Sequence, residues 1–446
     1  MTRPLTTELP DFQQARRSFI TGDSAPSAYL DTCIGNIDAK EPTIHAFAYL
    51  DLDAAREVAR AADARYRAGA PLSAIDGMPI AIKDIIDTRD MPTELNSPYF
   101  TGNRPRIDAA CVAATRRSGA VILGKSVTTE FALGRSGPTT NPHDPAHTPG
   151  GSSSGTAAGT ASGMFPAGFA TQTQGSILRP ASFNGVVGFK PSFGALSNDG
   201  IHPVSRTHDT LGAIGARVDN AWALARQIAI AAPGAHPMAL HGPDSDQLAA
   251  IMPQRIAVAR LRAFEELDPE SLSAFEQCLE ELRARGISVV EPALDAGLAD
   301  ALTRLDTVAD ISPRMVAHDM LWRFRDYIAA APDQIGPRLH EWVRLGENVS
   351  FDDYRLMLAA RDDLRRRVQQ LSSGYDAVVL PAASGPAPEG LVQTGSRTLL
   401  QPWTLLGFPA FSLPLMQVRG LPFGLQLAGF AGADHRLACN AKWLTQ

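Results

Sequence analysis

Apolar and polar positions change period along this chain, and the changes mark its elements. Leu52, Ala55, Val58, Ala61 and Ala62 fall near a 3.6-residue period that stops at Gly69, which predicts a helix. Residues 77–86 (GMPIAIKDII) are mostly apolar and β-branched, which predicts a buried strand with one lysine, Lys83, inside it. A helix over 109–118, closed by Gly119, leads into a short strand at 120–123. Further apolar strands are expected at 186–188, 255–259, 287–290, 377–380, 410–413 and 423–427. Residues 268–372 read as mostly helical, with Leu272, Phe275, Leu279 and Leu282 on one apolar stripe. Alternating helices and strands predict an α/β fold built on one large mixed sheet covered on both faces by helices. Only 231–253 reads as a long connection.

Composition narrows the function without naming it. The chain has 446 residues, 44% hydrophobic, and a net charge of -6. That is enough for a large core, and no basic stripe offers a nucleic-acid surface. The one cationic cluster, Arg361 to Arg367, mixes both signs in a helical pattern and reads as a solvated face. The first residues carry no apolar leader, and no window of about 18 apolar residues predicts a membrane span. Cys33, Cys111, Cys278 and Cys439 lie far apart without metal spacing, as expected of a reduced, cytoplasmic protein.

Three short motifs match known patterns and fail on context. Residues 119–126 (GAVILGKS) fit a phosphate loop, but Ala-Val-Ile-Leu is a strand sequence and a helix precedes it. Residues 151–155 (GSSSG) fit a nucleophile elbow around Ser153, but the proline-rich 141–149 cannot supply the strand that an elbow needs. His143 and His147 have helical zinc spacing, yet Pro142, Pro145 and Pro149 exclude a regular helix there, so no metal site is expected.

One constellation survives. After GGSSSG the chain continues as TAAGTASG, small residues at helical spacing that allow very close packing. It then reaches a second serine turn, Gly175-Ser176-Ile177, and GVVGFKP at 185–191. Together with the lysine strand, with 124–131 and 141–145, and with 375–381, 407–410 and 420–426, these segments resemble the amidase signature family of Ser–Ser–Lys hydrolases. The resemblance covers roughly 40–220 and 370–430 and implies that family's fold. It divides the chain into an N-terminal helical segment (1–70), a signature core (71–230), a variable helical substrate cap (231–372) and closing strands (373–446).

The resemblance also implies roles. Ser176 corresponds to the nucleophile, Ser152 to a bridging serine on a cis peptide, and Lys83 to the base. Backbone N–H groups of Thr173, Gln174, Gly175 and Ser176 correspond to the oxyanion hole. The chemistry is coherent, because a serine hydroxyl needs a base and lysine serves only when neutral, which an apolar setting promotes. No metal or cofactor is implied. The expected reaction is cleavage of a small-molecule amide, ureido or hydrazide C–N bond through an acyl-enzyme. One alternative is the amidase component of a tRNA-dependent amidotransferase, and another is a non-catalytic scaffold. A homodimer is a family-level expectation, and no membrane or nucleic-acid partner is expected.

The sequence departs from the family pattern around the nucleophile. Gln172 stands where many members have Asp, Leu178 where they have Arg, and Gln174 where they have Gly. Losing both charges together avoids one buried unpaired charge. Gln172 is therefore expected to hold the turn by neutral hydrogen bonds, with Arg179 reorganised nearby, and Gln174 to face the substrate. Ser153, His318, Trp322, Tyr327 and Trp342 are the remaining candidates for substrate contact, with Arg323 in the same cap.

Overall fold

The computed structural model describes residues 11–242 and 247–446. The leader expectation for residues 1–10 and part of the 231–253 connection, residues 243–246, lie outside the described residues. One mixed sheet of 11 strands runs through the described chain. Its strands are β1 (Phe47–Leu50), β2 (Pro79–Lys83), β3 (Val121–Ser126), β4 (Ala167–Gln172), β5 (Val187–Lys190), β6 (Thr210–Gly215), β7 (Arg255–Val258), β8 (Ser288–Val290), β9 (Ala377–Pro381), β10 (Ala410–Val418) and β11 (Leu421–Ala428). Their spatial order is β1-β3-β2-β4-β6-β5-β10-β11-β9-β7-β8. Pairing is parallel at β3-β2-β4 and at β9-β7-β8, and antiparallel elsewhere.

Burial on both faces explains the composition of the strands. Val378 and Leu380 of β9 join one apolar cluster, whereas Ala377 and Val379 join another. Successive side chains point to opposite faces, so each central strand feeds two cores. Helix Val218–Ala231 covers one face, through Leu224, Ala225 and Ile228. Helices Ser154–Ala161 and Leu178–Asn184 cover the other, through Ala157, Leu178 and Ala181. Small residues permit that approach: a side chain at Gly155 would meet the Ala46 carbonyl oxygen, and one at Gly159 would press on the Phe165 ring.

The structure alters several expected boundaries. The lysine strand ends at Lys83, because Ile85 and Ile86 turn back to donate their N–H groups to the Lys83 carbonyl. Strands β1, β4 and β6 carry no clear signal in the sequence pattern. β4 (AGFATQ) and β6 (TLGAIG) are built from small residues that fit between two helical layers, so neither carries a β-branched run. Leu272 lies off the buried stripe of helix Pro269–Ala284 at 38% exposure, and Cys278 takes a place on it. The 231–372 region also contributes β7 and β8 to the shared sheet. Among the described residues no helix is long and apolar enough to cross a membrane.

Candidate active site

The site forms where β2 and β4 end side by side. Register pairs Ile80 with Ala167 and Ala81 with Gly168, so Lys83 and Thr171 leave the sheet at the same edge. Lys83 is fully buried. Its Nζ lies 2.7 Å from Ser152 Oγ and 2.8 Å from Thr171 Oγ1. Burial drives the Lys83 amine well below its ordinary pKa, with the Asp209 carboxylate as a weaker opposing influence. A neutral amine has one lone pair and two N–H groups, which suits one donor hydroxyl and one acceptor.

Ser152 follows a cis Gly151–Ser152 peptide bond. Its loop is held from three sides. Arg179 donates to the Gly151 carbonyl at 2.6 Å, Thr129 N–H donates to the Ser152 carbonyl at 3.2 Å, and Ser153 N–H donates to the Ser176 carbonyl at 3.4 Å. The last bond joins the two serine turns, and Ser152 and Ser176 line one cavity. Its enclosed volume is only about 20 Å³, and Thr129, Leu133, Gln174, Arg179, Arg338 and Arg397 are among its walls.

Between β4 and helix Leu178–Asn184 the backbone makes the turn that carries Ser176. Among the described residues no acceptor is found for the N–H groups of Thr173, Gln174, Gly175 and Ser176. The next two are satisfied: Gln172 Oε1 accepts from Ile177 N–H at 2.9 Å and Leu178 N–H at 3.0 Å. Gln172 Nε2 donates to Thr404 Oγ1 at 2.8 Å, so both ends of its amide are used. Thr173 donates its hydroxyl to Asp209 Oδ1 at 2.7 Å, and Asp209 Oδ2 accepts from Val204 and Ser205 N–H. Gln174 is buried, lies outside the left-handed region, and has no partner for either atom of its amide.

The structure separates the other candidates. Ser153 is fully buried with its hydroxyl directed at the Thr171 carbonyl, so it supports the turn and does not reach the cavity. His318 and Trp322 line a different cleft with Arg206 and Arg323, because their helix turns that face away from the serines. Tyr327 packs one layer behind the cavity, stacked on Phe131 and bonded to His202. Trp342 stands behind the wall, with the Arg397 guanidinium 4.9 Å from its ring centre. Thr171, Asp209, Arg338 and Arg397 are site residues that sequence reasoning missed. Thr171 lies in β4, which the sequence pattern does not mark, and the others arrive from distant loops and helices.

The rejected motifs also have places. Lys125 sits in β3 and pairs with Asp84 at 3.2 Å, both buried. His143 lies against the Asn184 carbonyl in a loop. All four cysteines are buried and unpaired.

Comparison with known proteins places these observations. The family model described as Amidase matches residues 28–438. A glutamyl-tRNA(Gln) amidotransferase subunit from Chloroflexus aurantiacus is 33% identical over 450 residues, covering 93% of this chain and 92% of the relative. The protein of the same name from Salinispora arenicola is 31% identical, with 93% and 92% covered. Among solved structures, an amidase superposes with a TM-score of 0.83 at 31% identity, covering 98% of this chain and 99% of the other. A peptide amidase from Stenotrophomonas maltophilia gives 0.76 at 26% identity, covering 99% and 97%.

Proposed function

The chain belongs to the amidase family and is an amidohydrolase acting on carboxamide C–N bonds, and from that premise we propose that Lys83, Ser152 and Ser176 form its catalytic relay. The observation that carries this reading is the buried Lys83 Nζ, 2.7 Å from Ser152 Oγ, behind a cavity shared by both serines. Neutral Lys83 takes the Ser152 proton while Ser152 takes that of Ser176, and Ser176 Oγ attacks the amide carbon. The developing oxyanion lies against the unengaged N–H groups of residues 173–176; losing one such donor costs roughly 100- to 1,000-fold in rate. The proton then returns through Ser152 to the departing nitrogen. The C–N bond breaks, an amine or ammonia leaves, and an ester on Ser176 remains. Water, deprotonated by the same relay, cleaves the ester to release the acid and restore Ser176.

Gln174 offers the substrate an amide donor and acceptor that no protein group occupies. A buried amide left unbonded costs about 1–3 kcal/mol, which a bound polar group would recover.

The reading is tested with Ser176→Ala and Lys83→Ala, assayed on a panel of small amides. Each loses turnover by roughly a thousandfold or more while keeping the native circular dichroism. Undiminished turnover in either variant would refute the relay.

A second reading is favoured by the curated relatives, which are named as components of an amidotransferase. Copurification with partner proteins and glutaminase activity would support that role, and turnover of simple amides by the isolated chain supports the first.

A further inference from the structure

Outside the reaction cavity, five donors meet on one buried carboxylate, that of Asp319 in helix Val308–Ala330. Its Oδ2 accepts from the Ser205 hydroxyl at 2.7 Å, the Thr207 hydroxyl at 2.6 Å and the Thr207 N–H at 3.2 Å. Its Oδ1 accepts from the Tyr354 hydroxyl at 2.6 Å and from Arg206 Nε at 3.3 Å. Tyr354 comes from helix Phe351–Gln370, and the other four donors come from three consecutive residues of the loop that leads into β6. His208 completes the cluster. Its Nδ1 lies 3.0 Å from Ser205 Oγ and 2.8 Å from Thr207 Oγ1. Its Nε2 lies 3.1 Å from the hydroxyl of Ser312, in the same helix as Asp319. Both loop hydroxyls give their protons to Asp319, so Nδ1 carries the imidazole proton and Nε2 accepts from Ser312.

A second carboxylate holds the same loop from its other side. Asp209 Oδ2 accepts from Val204 N–H at 2.7 Å and from Ser205 N–H at 2.9 Å, and its Oδ1 accepts from the Thr173 hydroxyl at 2.7 Å. Ser205 is common to both grips, with its hydroxyl on Asp319 and its N–H on Asp209. Strands β4 and β6 pair Gln172 with Thr210, so Thr173 and Asp209 stand opposite each other one step beyond the sheet. Hydrogen bonds therefore run without a gap from helix Val308–Ala330, through Ser205 and Asp209, to the turn that carries Ser176. An interior carboxylate costs desolvation free energy, and apolar contacts alone would hold two helices together as well. Here most of its bonds fall on the loop, so the charge fixes where the loop sits.

We infer that Asp319 is a positioning residue of the reaction: through Ser205 and Asp209 it fixes the place of the Thr173 backbone and of the oxyanion donors that follow. The inference rests on the proposed Ser176 relay and adds a remote group that sets its donor geometry. Asp319 is not among the residues that line the cavity of the two serines. Donors stabilise a developing charge only when their supports hold them within about 0.5 Å of the productive place. Slack in the loop therefore lowers the rate of attack and leaves ground-state binding nearly unchanged.

Labelling of Ser176 by a fluorophosphonate tests this without a known substrate. The Ser176 oxygen bonds to phosphorus, fluoride leaves, the serine proton passes to the relay, and the phosphoryl oxygen takes the oxyanion place. Saturation kinetics separate the rate constant of labelling from the affinity for the probe. Asp319→Asn lowers the rate constant roughly tenfold or more and leaves the affinity within about threefold. Ser205→Ala cuts the same path at one hydroxyl and acts in the same direction, so it carries the comparison if Asp319→Asn does not fold. Tyr354→Phe removes only the donor outside the loop; it lowers the urea midpoint and leaves the rate constant within about threefold. Thr173→Val unties the turn from Asp209, so adding Asp319→Asn to it brings no further fall in rate. Folded Asp319→Asn and Ser205→Ala proteins that label at the wild-type rate would overturn the inference. So would losses in Asp319→Asn and Thr173→Val that multiply in the double variant. Wild-type protein that takes no label at Ser176 would refute the relay itself, and the inference would fall with it.

Discussion

Thr171 Oγ1 lies 2.8 Å from Lys83 Nζ, and Thr171 is not among the residues that line the cavity of the two serines. This bond uses one N–H of the neutral lysine and leaves its lone pair for Ser152. Thr171→Val keeps the β-branched shape and removes the partner. The variant should keep native stability within about 1 kcal/mol and lose about 10- to 100-fold in kcat. Steady-state kinetics beside a urea titration separate the two effects; a fall in stability with unchanged kcat would assign Thr171 a purely structural place.

Gln172 is the internal clamp of the turn that carries Ser176. Gln172→Ala strands the buried N–H groups of Ile177 and Leu178, while the Thr404 hydroxyl keeps its bond to the Leu400 carbonyl. The expected cost is about 2–4 kcal/mol of stability. Urea denaturation measures it, and a loss below about 0.5 kcal/mol would show that the turn does not depend on this amide.

Asp209 ties the turn at Thr173 to the 204–205 backbone. Burial raises its pKa from 3.8 to about 6 against the hydrogen bonds from Thr173, Val204 and Ser205. A carboxyl raised on folding holds its proton in the native state where the unfolded chain has lost it. Its ionisation therefore removes stability as pH climbs from about 4 to about 6. Asp209→Asn cannot ionise, so its stability relative to the wild type should improve across that window and level off above it. Denaturant titrations in steps of pH measure the difference, and parallel curves for the two proteins would contradict the account.

The frame is legible in the sequence wherever strands carry β-branched runs. Lys83 is visible as a lone charge in such a run, and GGSSSG as a turn because TAAGTASG can only be a tightly packed helix. β4 and β6 are hidden, since their Ala and Gly positions interrupt any β-branched run and are small where both faces are covered. The cap is legible as helical but not in its orientation. A helix pattern tells which residues share a face, not which cavity the face meets, so the pattern points to His318 and Trp322 at the substrate and passes over Arg338. Arg397 sits in a loop with no period to read, and only the fold brings it to the cavity wall beside Arg179 and Arg338.

The central claim is that Ser176, and no other serine in the two turns, attacks the substrate. A fluorophosphonate probe applied to the folded protein, with the adduct located by peptide mass spectrometry, tests it most directly. The account predicts one adduct on Ser176, strongly reduced in Lys83→Ala. Folded protein that stays unlabelled at Ser176, or that carries the adduct on Ser153 instead, would contradict it.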